Sequence, residues 1–204
     1  SEIDRTLFAI TMIGTFLLSG GAGTINHFVE KDLDKLMDRT QARPIPAGII
    51  SSKNALIFGL CFLIIGLVIL IIYVNQLTAA LGLITVLLYI FVYTPLKKIT
   101  WLNTTIGAIP GAMPALGGWA ASANALDPNA WILFSILFLW QHPHFYAIAL
   151  MCKEDYKKAG FQMLPVIENE SNRTNRQILW HAFLLIPVSL FFVVTGILGE
   201  IYFW

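Results

Sequence analysis

Six long apolar segments dominate this chain and limit the folds that it can adopt. A membrane-spanning helix needs about 20 mainly apolar residues, and each segment is close to that length or longer. Strands of a membrane barrel would instead show alternation over roughly ten residues, which these segments lack. The sequence therefore predicts an all-α, polytopic transmembrane helix bundle. The six predicted spans are Leu7 to Val29, Ala55 to Val74, Leu77 to Tyr93, Thr104 to Ala123, Trp131 to Cys152 and Ile178 to Trp204.

Composition supports an integral membrane protein. Of the 204 residues, 57 % are hydrophobic and 12 % charged, whereas charged residues make up about a quarter of a soluble domain. The net charge of +1 argues against a nucleic-acid partner, so the lipid bilayer is the expected partner. Glu2 and Asp4 precede the first span, where a cleaved signal peptide would be basic, and we expect that span to be retained. One membrane-embedded domain is predicted over residues 1–204.

The positions of the basic residues predict how the chain is oriented. If the loop after the first span is cytoplasmic, twelve of the thirteen lysines and arginines lie on that side. Arg5 alone then lies on the other side, where the connections are short and nearly uncharged. Cytoplasmic loops of membrane proteins carry such an excess of positive charge. The distribution therefore agrees with six spans.

A dense run of charge, Asn26 to Gly48, follows the first span. If it is helical, Asn26, Glu30 and Asp34 lie on one face over about 12 Å. Carboxylates at this spacing can hold Mg²⁺, which is often shared with substrate phosphates. An ordinary charged loop at the membrane surface is the alternative. The accompanying cations are Lys31, Lys35, Arg39 and Arg43.

Polar residues interrupt the fifth span at Gln141, His142 and His144. Polar groups at membrane depth are costly, which favours a functional interpretation. If one helix continues to Asp155, His144 and Asp155 lie within about 20° of the same face and Gln141 about 60° away. This face is predicted to point into a common interior. His142 points elsewhere and is predicted to be a hydrogen-bonded packing residue.

Two further charged loops are predicted on the same side as the first. Lys153 to Tyr156, followed by Lys157 and Lys158, could help the first loop to bracket a metal-bound diphosphate, or could be a solvated loop. Lys97 and Lys98 end the third span and could bind diphosphate or anchor the topology. The fourth span is rich in glycine and proline, which is typical of a kinked, tightly packed helix or of a broken helix lining a cavity.

These motifs together resemble the UbiA-type intramembrane prenyltransferases. The pattern N-x-x-x-D-x-x-x-D followed by R-T-x-x-R-P is similar to the segment from Asn26 to Pro44, with Glu30 in place of the first aspartate. Segments Trp140 to Phe145, Lys153 to Tyr156 and Gly160 to Val166 resemble the branch of that family that prenylates heme. The resemblance covers nearly the whole chain.

The resemblance implies transfer of a farnesyl group from farnesyl diphosphate to a vinyl group of heme B, with Mg²⁺ as the cofactor and heme O as the product. The product would pass to a heme A synthase or to terminal oxidase assembly. The protein would lie in a bacterial or mitochondrial inner membrane, with its active-site loops on the cytoplasmic or matrix side. Gln141 and His144 would orient the heme or the prenyl end, and His144 is also a candidate iron ligand.

The roles that the resemblance implies fall into three groups. The catalytic candidates are Asn26, Glu30, Asp34, His144 and Asp155. The metal candidates are Glu30, Asp34 and Asp155. The candidates for binding substrate and cofactor are Arg39, Arg43, Lys97, Gln141, Lys153 and Tyr156.

One departure and two rival functions accompany the resemblance. The family resembles a nine-helix bundle, so its first helix and its last two would be missing from this chain. A UbiA-type enzyme acting on an aromatic quinone precursor is the first rival, and we would expect it to carry a second aspartate motif near Trp140 to Phe145. A membrane transporter is the second, but its polar groups would be expected near the membrane midplane.

Overall fold

The computed structural model describes residues 4–196, which form helices and turns without any strand. The predicted all-α class is confirmed. Six long helices are present, and two short ones lie in the connection between the last two long helices. In chain order the helices are α1 Arg5–Asp34, α2 Ser52–Tyr73, α3 Gln76–Leu96, α4 Asn103–Ala123, α5 Pro128–Met151, α6 Lys153–Lys158, α7 Leu164–Ile167 and α8 Asn172–Val194.

All six predicted segments contain a helix, but not all have the same character. Five described helices, α1, α2, α3, α5 and α8, are long and apolar enough to cross a membrane. Helix α4 has 21 residues but is not among the five, because its glycines, internal prolines and polar first turn lower its apolar content. The predicted end of the last span at Trp204 lies outside the described residues.

Short polar side chains fix where the long helices begin. The Asp4 carboxylate accepts hydrogen bonds from the backbone amides of Thr6 and Leu7 at the start of α1. Ser51 and Asn75 cap α2 and α3 in the same way, and Asp127 caps α5. Such caps satisfy amides that have no partner within the helix.

Glycines allow α1 and α2 to pack closely. A Cβ atom placed on Gly21 would lie 2.7 Å from the carbonyl oxygen of Gly59. One placed on Gly66 would lie 2.6 Å from the backbone nitrogen of Leu18. Small residues at such crossings let helix backbones approach in a membrane. Gly21 of α1 and the glycines of α2 that face it therefore make room for the two helices to pack.

The long helices are arranged so that α1, α3, α4 and α5 surround a common space. Helix α1 packs against α2 and α3, α3 against α4, α4 against α5, and α5 against α8. Helix α3 widens into a π-helical segment, Leu88–Tyr93, and ends at Leu96. The helix therefore continues one residue beyond Pro95. A π segment within an α-helix is often found beside a functional site.

Candidate active site

A cavity of about 390 Å³ extends from the basic loops into the space between α1, α3, α4 and α5. This volume is within the range of small-molecule sites, about 300–1,000 Å³. Its outer part is lined by charged residues of α1 and the following loop, and its inner part by residues such as Pro110 and Phe145. The cavity therefore combines a charged entrance with a mainly apolar interior.

The first charged pair in the cavity joins Glu30 of α1 to Lys97 at the end of α3. Lys97 Nζ donates hydrogen bonds to both carboxylate oxygens, at 2.9 and 2.8 Å. The side chains are only 6 % and 11 % exposed, respectively. Burying either charge alone would be costly, so each stabilises the other in this position. The pair also links the two sides of the cavity.

The second charged pair joins Asp34 to Arg43. Arg43 Nη1 lies 3.0 and 2.9 Å from the two carboxylate oxygens of Asp34. The Asp34 side chain is 1 % exposed, whereas Arg43 is 31 % exposed and reaches the entrance. Thr40 holds the intervening turn, because its hydroxyl donates to the carbonyl oxygen of Asp34. The R-T-x-x-R segment thus folds back over the end of α1.

Asn26 lies one helical turn before Glu30 on α1. Its Nδ2 donates to the Thr94 hydroxyl at 2.9 Å, and that hydroxyl donates to the carbonyl oxygen of Tyr89 in the π segment. This bond uses the nitrogen of the Asn26 amide and directs the oxygen away from Thr94. Asn26, Glu30 and Asp34 all line the cavity, as their spacing predicts.

The oxygen ligands needed by a hard divalent cation are present on α1. The side-chain oxygens of Asn26, Glu30 and Asp34 are of the type that Mg²⁺ prefers. Each carboxylate has about four lone-pair positions, so the bonds from Lys97 and Arg43 leave acceptor capacity for a metal. Within residues 4–196, however, no group of three or more His, Cys, Asp or Glu side chains is placed to hold a metal ion. The chemistry fits, but the three-carboxylate set with Asp155 is not assembled.

Asp155 lies outside the cavity and binds the backbone of the first charged loop. Its carboxylate accepts hydrogen bonds from the amides of Asp38 and Arg39, each at 3.1 Å. The hydrogen bond from the Arg39 amide is the main reason that the pKa of Asp155 lies below its ordinary value. Lys158 donates to Asp38 at 2.6 Å and reinforces the contact. Asp155 therefore holds the loop that carries Arg39.

The predicted alignment of Gln141, His144 and Asp155 on one helix face is wrong. It assumed a single helix, but α5 ends at Met151 and Cys152 takes a non-helical conformation, with φ −103° and ψ 22°. Helix α6 then starts again at Lys153. The break changes the direction of every later side chain, so Asp155 no longer shares a face with His144.

The three polar residues of α5 have different surroundings. Gln141 lines the cavity and is 5 % exposed. His144 is exposed on the outer side of α5, where its ring stacks on Trp140 with centroids 4.7 Å apart, and it does not line the cavity. His142 is fully buried, bonds to the Phe138 carbonyl at 2.8 Å and stacks on His181. The packing role predicted for His142 is confirmed.

The other predicted binding residues are divided between the cavity and the surface. Arg39 and Tyr156 line the cavity, and Arg39 Nη2 donates to the Tyr156 hydroxyl at 3.4 Å. Burial raises the pKa of Tyr156, so its hydroxyl is protonated at neutral pH. Lys153 does not line the cavity, and its Nζ donates to the Glu168 carbonyl at 3.4 Å. Lys153 thus holds the connection between α7 and α8.

Several residues of the cavity were not predicted from the sequence. His27, Tyr89 and Tyr93 line the cavity although no site role was predicted for them. The ring of Tyr93 packs where a Cβ of Gly107 would be, 2.5 Å away, and Lys97 Nζ lies 4.9 Å from the ring centroid. The i, i+4 spacing of the two tyrosines just before Lys97 was the available signal.

Comparison with known proteins gives a consistent family assignment. Residues 1–204 match the UbiA prenyltransferase family. The chain belongs to this family. Proteins named protoheme IX farnesyltransferase are 48 % identical in Solibacter usitatus, 45 % in Salinibacter ruber and 41 % in Sorangium cellulosum. The alignments cover 98, 98 and 99 % of this chain and 69, 71 and 72 % of those proteins.

Solved structures support the fold of this UbiA family member. One is described as a digeranylgeranylglyceryl phosphate synthase, with a TM-score of 0.76 and 22 % identity over 97 % of this chain and 68 % of that one. Another is the apo structure of a UbiA homologue from Aeropyrum pernix K1, with a TM-score of 0.77 and 17 % identity over 98 % of this chain and 75 % of that one. At these identities the likeness supports the intramembrane helix bundle alone.

Proposed function

We propose that this chain transfers the farnesyl group of farnesyl diphosphate to a vinyl group of heme B, giving heme O. The observation that carries the proposal is the pair of buried ion pairs, Glu30 with Lys97 and Asp34 with Arg43, at the entrance of a mainly apolar cavity. A diphosphate with a long apolar tail has the same division of charge. The relatives named protoheme IX farnesyltransferase support heme as the acceptor.

The cations at the entrance would bind and stabilise the diphosphate. Breaking the allylic carbon–oxygen bond leaves an electron pair, and hence negative charge, on the departing diphosphate. Lys97, Arg43 and Arg39 line the cavity and are held in place by Glu30, Asp34 and Tyr156. Preorganised charges of this kind stabilise developing negative charge without reorganising during the reaction.

A divalent cation is also part of the proposal. Bound Mg²⁺ supplies positive charge that stabilises the leaving diphosphate. Asn26, Glu30 and Asp34 would hold it, since all three carry side-chain oxygen atoms and line the cavity. Asp155 would act by positioning Arg39, because both of its oxygens already accept backbone amides. This role replaces direct metal binding by Asp155.

The heme acceptor would be bound through the inner cavity. Gln141 and Phe145 line it on α5, whereas His144 faces outward. We therefore assign acceptor contacts to Gln141 and place His144 outside this cavity. The charged loops would lie on the cytoplasmic or matrix side of a bacterial or mitochondrial inner membrane, and the product would pass to heme A synthase or oxidase assembly. A transporter is disfavoured because the acids cluster at one end of the bundle.

The test is an acceptor competition with the chain reconstituted in lipid nanodiscs. Farnesyl diphosphate and Mg²⁺ would be supplied with heme B, with an aromatic quinone-precursor acid, or with both, and the products measured by mass spectrometry. We expect a farnesylated heme, no prenylated aromatic acid, and no product after the divalent cation is removed by chelation. Prenylation of the aromatic acid alone would assign the rival function, and full activity with chelator would remove the metal from the proposal.

A further inference from the structure

The side-chain amide of Gln141 is held with one defined orientation inside the cavity. Its Nε2 donates to the carbonyl oxygen of Ala108 on α4 at 3.2 Å and to that of Leu137 on its own helix at 3.3 Å. Both partners are acceptors, so the nitrogen must face them and the oxygen must face the other way. The direction of the amide is therefore fixed by two backbone groups that cannot exchange roles.

Gly111 provides the space that the Gln141 oxygen occupies. A Cβ atom placed on Gly111 would lie 1.9 Å from Gln141 Oε1, which is far inside contact distance. Gly111 and Gln141 both line the cavity, and Gln141 is only 5 % exposed. The absence of a side chain at residue 111 thus leaves room for the amide oxygen against α4, between two residues that line the cavity.

The Gln141 oxygen lies deeper in the cavity than the charged entrance. Ala108 and Gly111 lie five and eight residues after Asn103, the first residue of α4, which corresponds to about 8 and 12 Å along the helix. Among the described α5 residues that line the cavity, Gln141 alone is polar, and Phe145, Ile148 and Ala149 are apolar. On α5, Gln141 therefore places a neutral acceptor in the inner part of the cavity, further from the basic end of the helix than the apolar α5 residues that line it.

The proposed reaction creates a specific need for such a group. When the C1–O bond of farnesyl diphosphate breaks, the electron pair leaves with diphosphate, and the vinyl π pair of the heme forms a bond to C1. The inner vinyl carbon is then a cation beside the pyrrole ring. It either loses a neighbouring proton to give an alkene, or adds a water oxygen, which loses its proton to the released diphosphate, to give an alcohol.

We propose that Gln141 Oε1 positions the water that captures this cation and so directs the reaction to the alcohol. The oxygen accepts a hydrogen bond from the water and turns a water lone pair toward the cavity. A neutral amide suits this role, because it neither traps the cation as a nucleophilic carboxylate could nor repels it. The inference rests on the proposed function and deepens it. Gln141 is a positioning residue in it.

The ratio of alcohol to alkene in the prenylated heme tests the proposal. Reconstituted chain, heme B, farnesyl diphosphate, Mg²⁺ and ¹⁸O-labelled water would be incubated, and both products quantified by mass spectrometry. Gln141→Leu removes the acceptor, and Gly111→Ala displaces it without changing Gln141. In both variants we expect the ratio to fall about tenfold, as the loss of one hydrogen bond predicts. Gly117→Ala, on the same helix with nothing within 4 Å, is the matched control and should keep the parental ratio.

Each outcome separates the inference from the function on which it rests. A lower ratio in both test variants, with ¹⁸O in the remaining alcohol, supports water positioning by Gln141. A parental ratio in Gln141→Leu, even at reduced turnover, overturns it, because a packing residue would change the rate and not the product. If the parental chain forms no heme adduct, the proposed function fails and the inference fails with it. Thermal melting of each variant in detergent confirms that folded protein was compared.

Discussion

At the scale of single residues, the two buried acids of α1, Glu30 and Asp34, are paired with cations in different ways. Asp34 is 1 % exposed and its charged partner Arg43 is 31 % exposed, so this pair can open toward the entrance. Glu30 and Lys97 are both nearly buried and form the more enclosed pair. Asp34 is therefore the acid better placed to exchange a cation for a metal–diphosphate complex, whereas Glu30 has the larger structural role.

For Asp34 we expect that Asp34→Asn abolishes diphosphate turnover while the fold is retained. An amide has the same volume but lacks the charge that binds a divalent cation and holds Arg43. The loss in kcat should be at least about 100-fold, the size expected for removal of a preorganised charge. Asp32→Asn is the matched control, because Asp32 is on the same helix, is 74 % exposed and forms its ion pair with the exposed Lys35. Turnover of Asp34→Asn at the parental rate would disprove the assignment.

For Lys97 we expect a large loss of stability. Lys97→Met leaves the Glu30 carboxylate buried and unpaired, which should lower the free energy of unfolding by about 3 kcal/mol. Adding Glu30→Gln should recover most of that stability but not the activity, since the lost charges also serve the diphosphate. Lys98→Met, at the exposed neighbouring position, should change neither. Chemical denaturation in detergent measures the free energy of unfolding of all three variants. A Lys97→Met protein as stable as the parent would show that water compensates the Glu30 charge when Lys97 is absent.

At the scale of structural elements, the cavity is closed by contacts between loops that are distant in sequence. Asp155 binds the amides of Asp38 and Arg39, and the Gln162 amide donates to the carbonyl oxygen of Lys97 at 2.7 Å. These bonds join the connection after α5 to the end of α1 and the end of α3. The charged entrance therefore depends on the loops being held together, as well as on the helices.

The dependence of the entrance on contacts between distant loops explains which parts of the molecule were predictable from the sequence. Helices and the stripe of Asn26, Glu30 and Asp34 follow from local periodicity, which is present in the sequence itself. The pairing of Glu30 with Lys97, 67 residues apart, depends on tertiary packing. The direction of Asp155 was mispredicted because no glycine or proline marks the helix break at Cys152. His144 was mispredicted to face the interior because periodicity gives the relative positions of side chains on α5 but not which face packs toward the cavity.

Asp155 holds the loop of Asp38 and Arg39 through their backbone amides. We expect that Asp155→Ala raises the KM for farnesyl diphosphate about tenfold with a smaller change in kcat. Two amides lose their acceptor and Arg39 loses its fixed position. Glu154→Ala, at the exposed preceding residue, is the control. The pKa of Asp155 is lowered in the folded protein, so the contact is complete at neutral pH and is lost only as pH falls through that depressed pKa. The KM of the parent should therefore stay constant from neutral to mildly acidic pH. A rise of KM over that pH range in the parent, but not in Asp155→Ala, would contradict this role of Asp155.

At the scale of the whole molecule, helix length explains how a charged site and an apolar cavity occur together. Helix α1 has 30 residues, or about 45 Å, whereas the hydrocarbon core of a bilayer is about 30 Å thick. Its last turns, which carry Glu30 and Asp34, can therefore extend beyond the hydrocarbon while Gly14 and Gly21 remain within it. A prenyl diphosphate needs the same arrangement, with its charge at the interface and its tail in the apolar region.

The two ends of the bundle should accordingly face different compartments. At the basic end, Asn26 bonds to Thr94 and Glu30 to Lys97. At the other end, Asn75 donates to the carbonyl oxygen of Ala120 at 2.8 Å. We expect cysteines introduced singly at Lys35, Lys98 and Lys157 to react with a membrane-impermeant maleimide from one face, and a cysteine at Gln76 from the other. Lys98 is used because Lys97 is too buried to label.

The background for this labelling experiment is a parent in which Cys61 and Cys152 are replaced by alanine, since both are free thiols and Cys61 is exposed. The expected pattern follows from two independent facts, the partition of twelve basic residues against Arg5 and the side-chain bonds that tie each end together. Because positive charge favours the cytoplasmic side, the three lysine positions should label only in inside-out vesicles. Labelling of positions 35 and 157 from opposite faces would be incompatible with an entrance built jointly by α1 and the connection after α5.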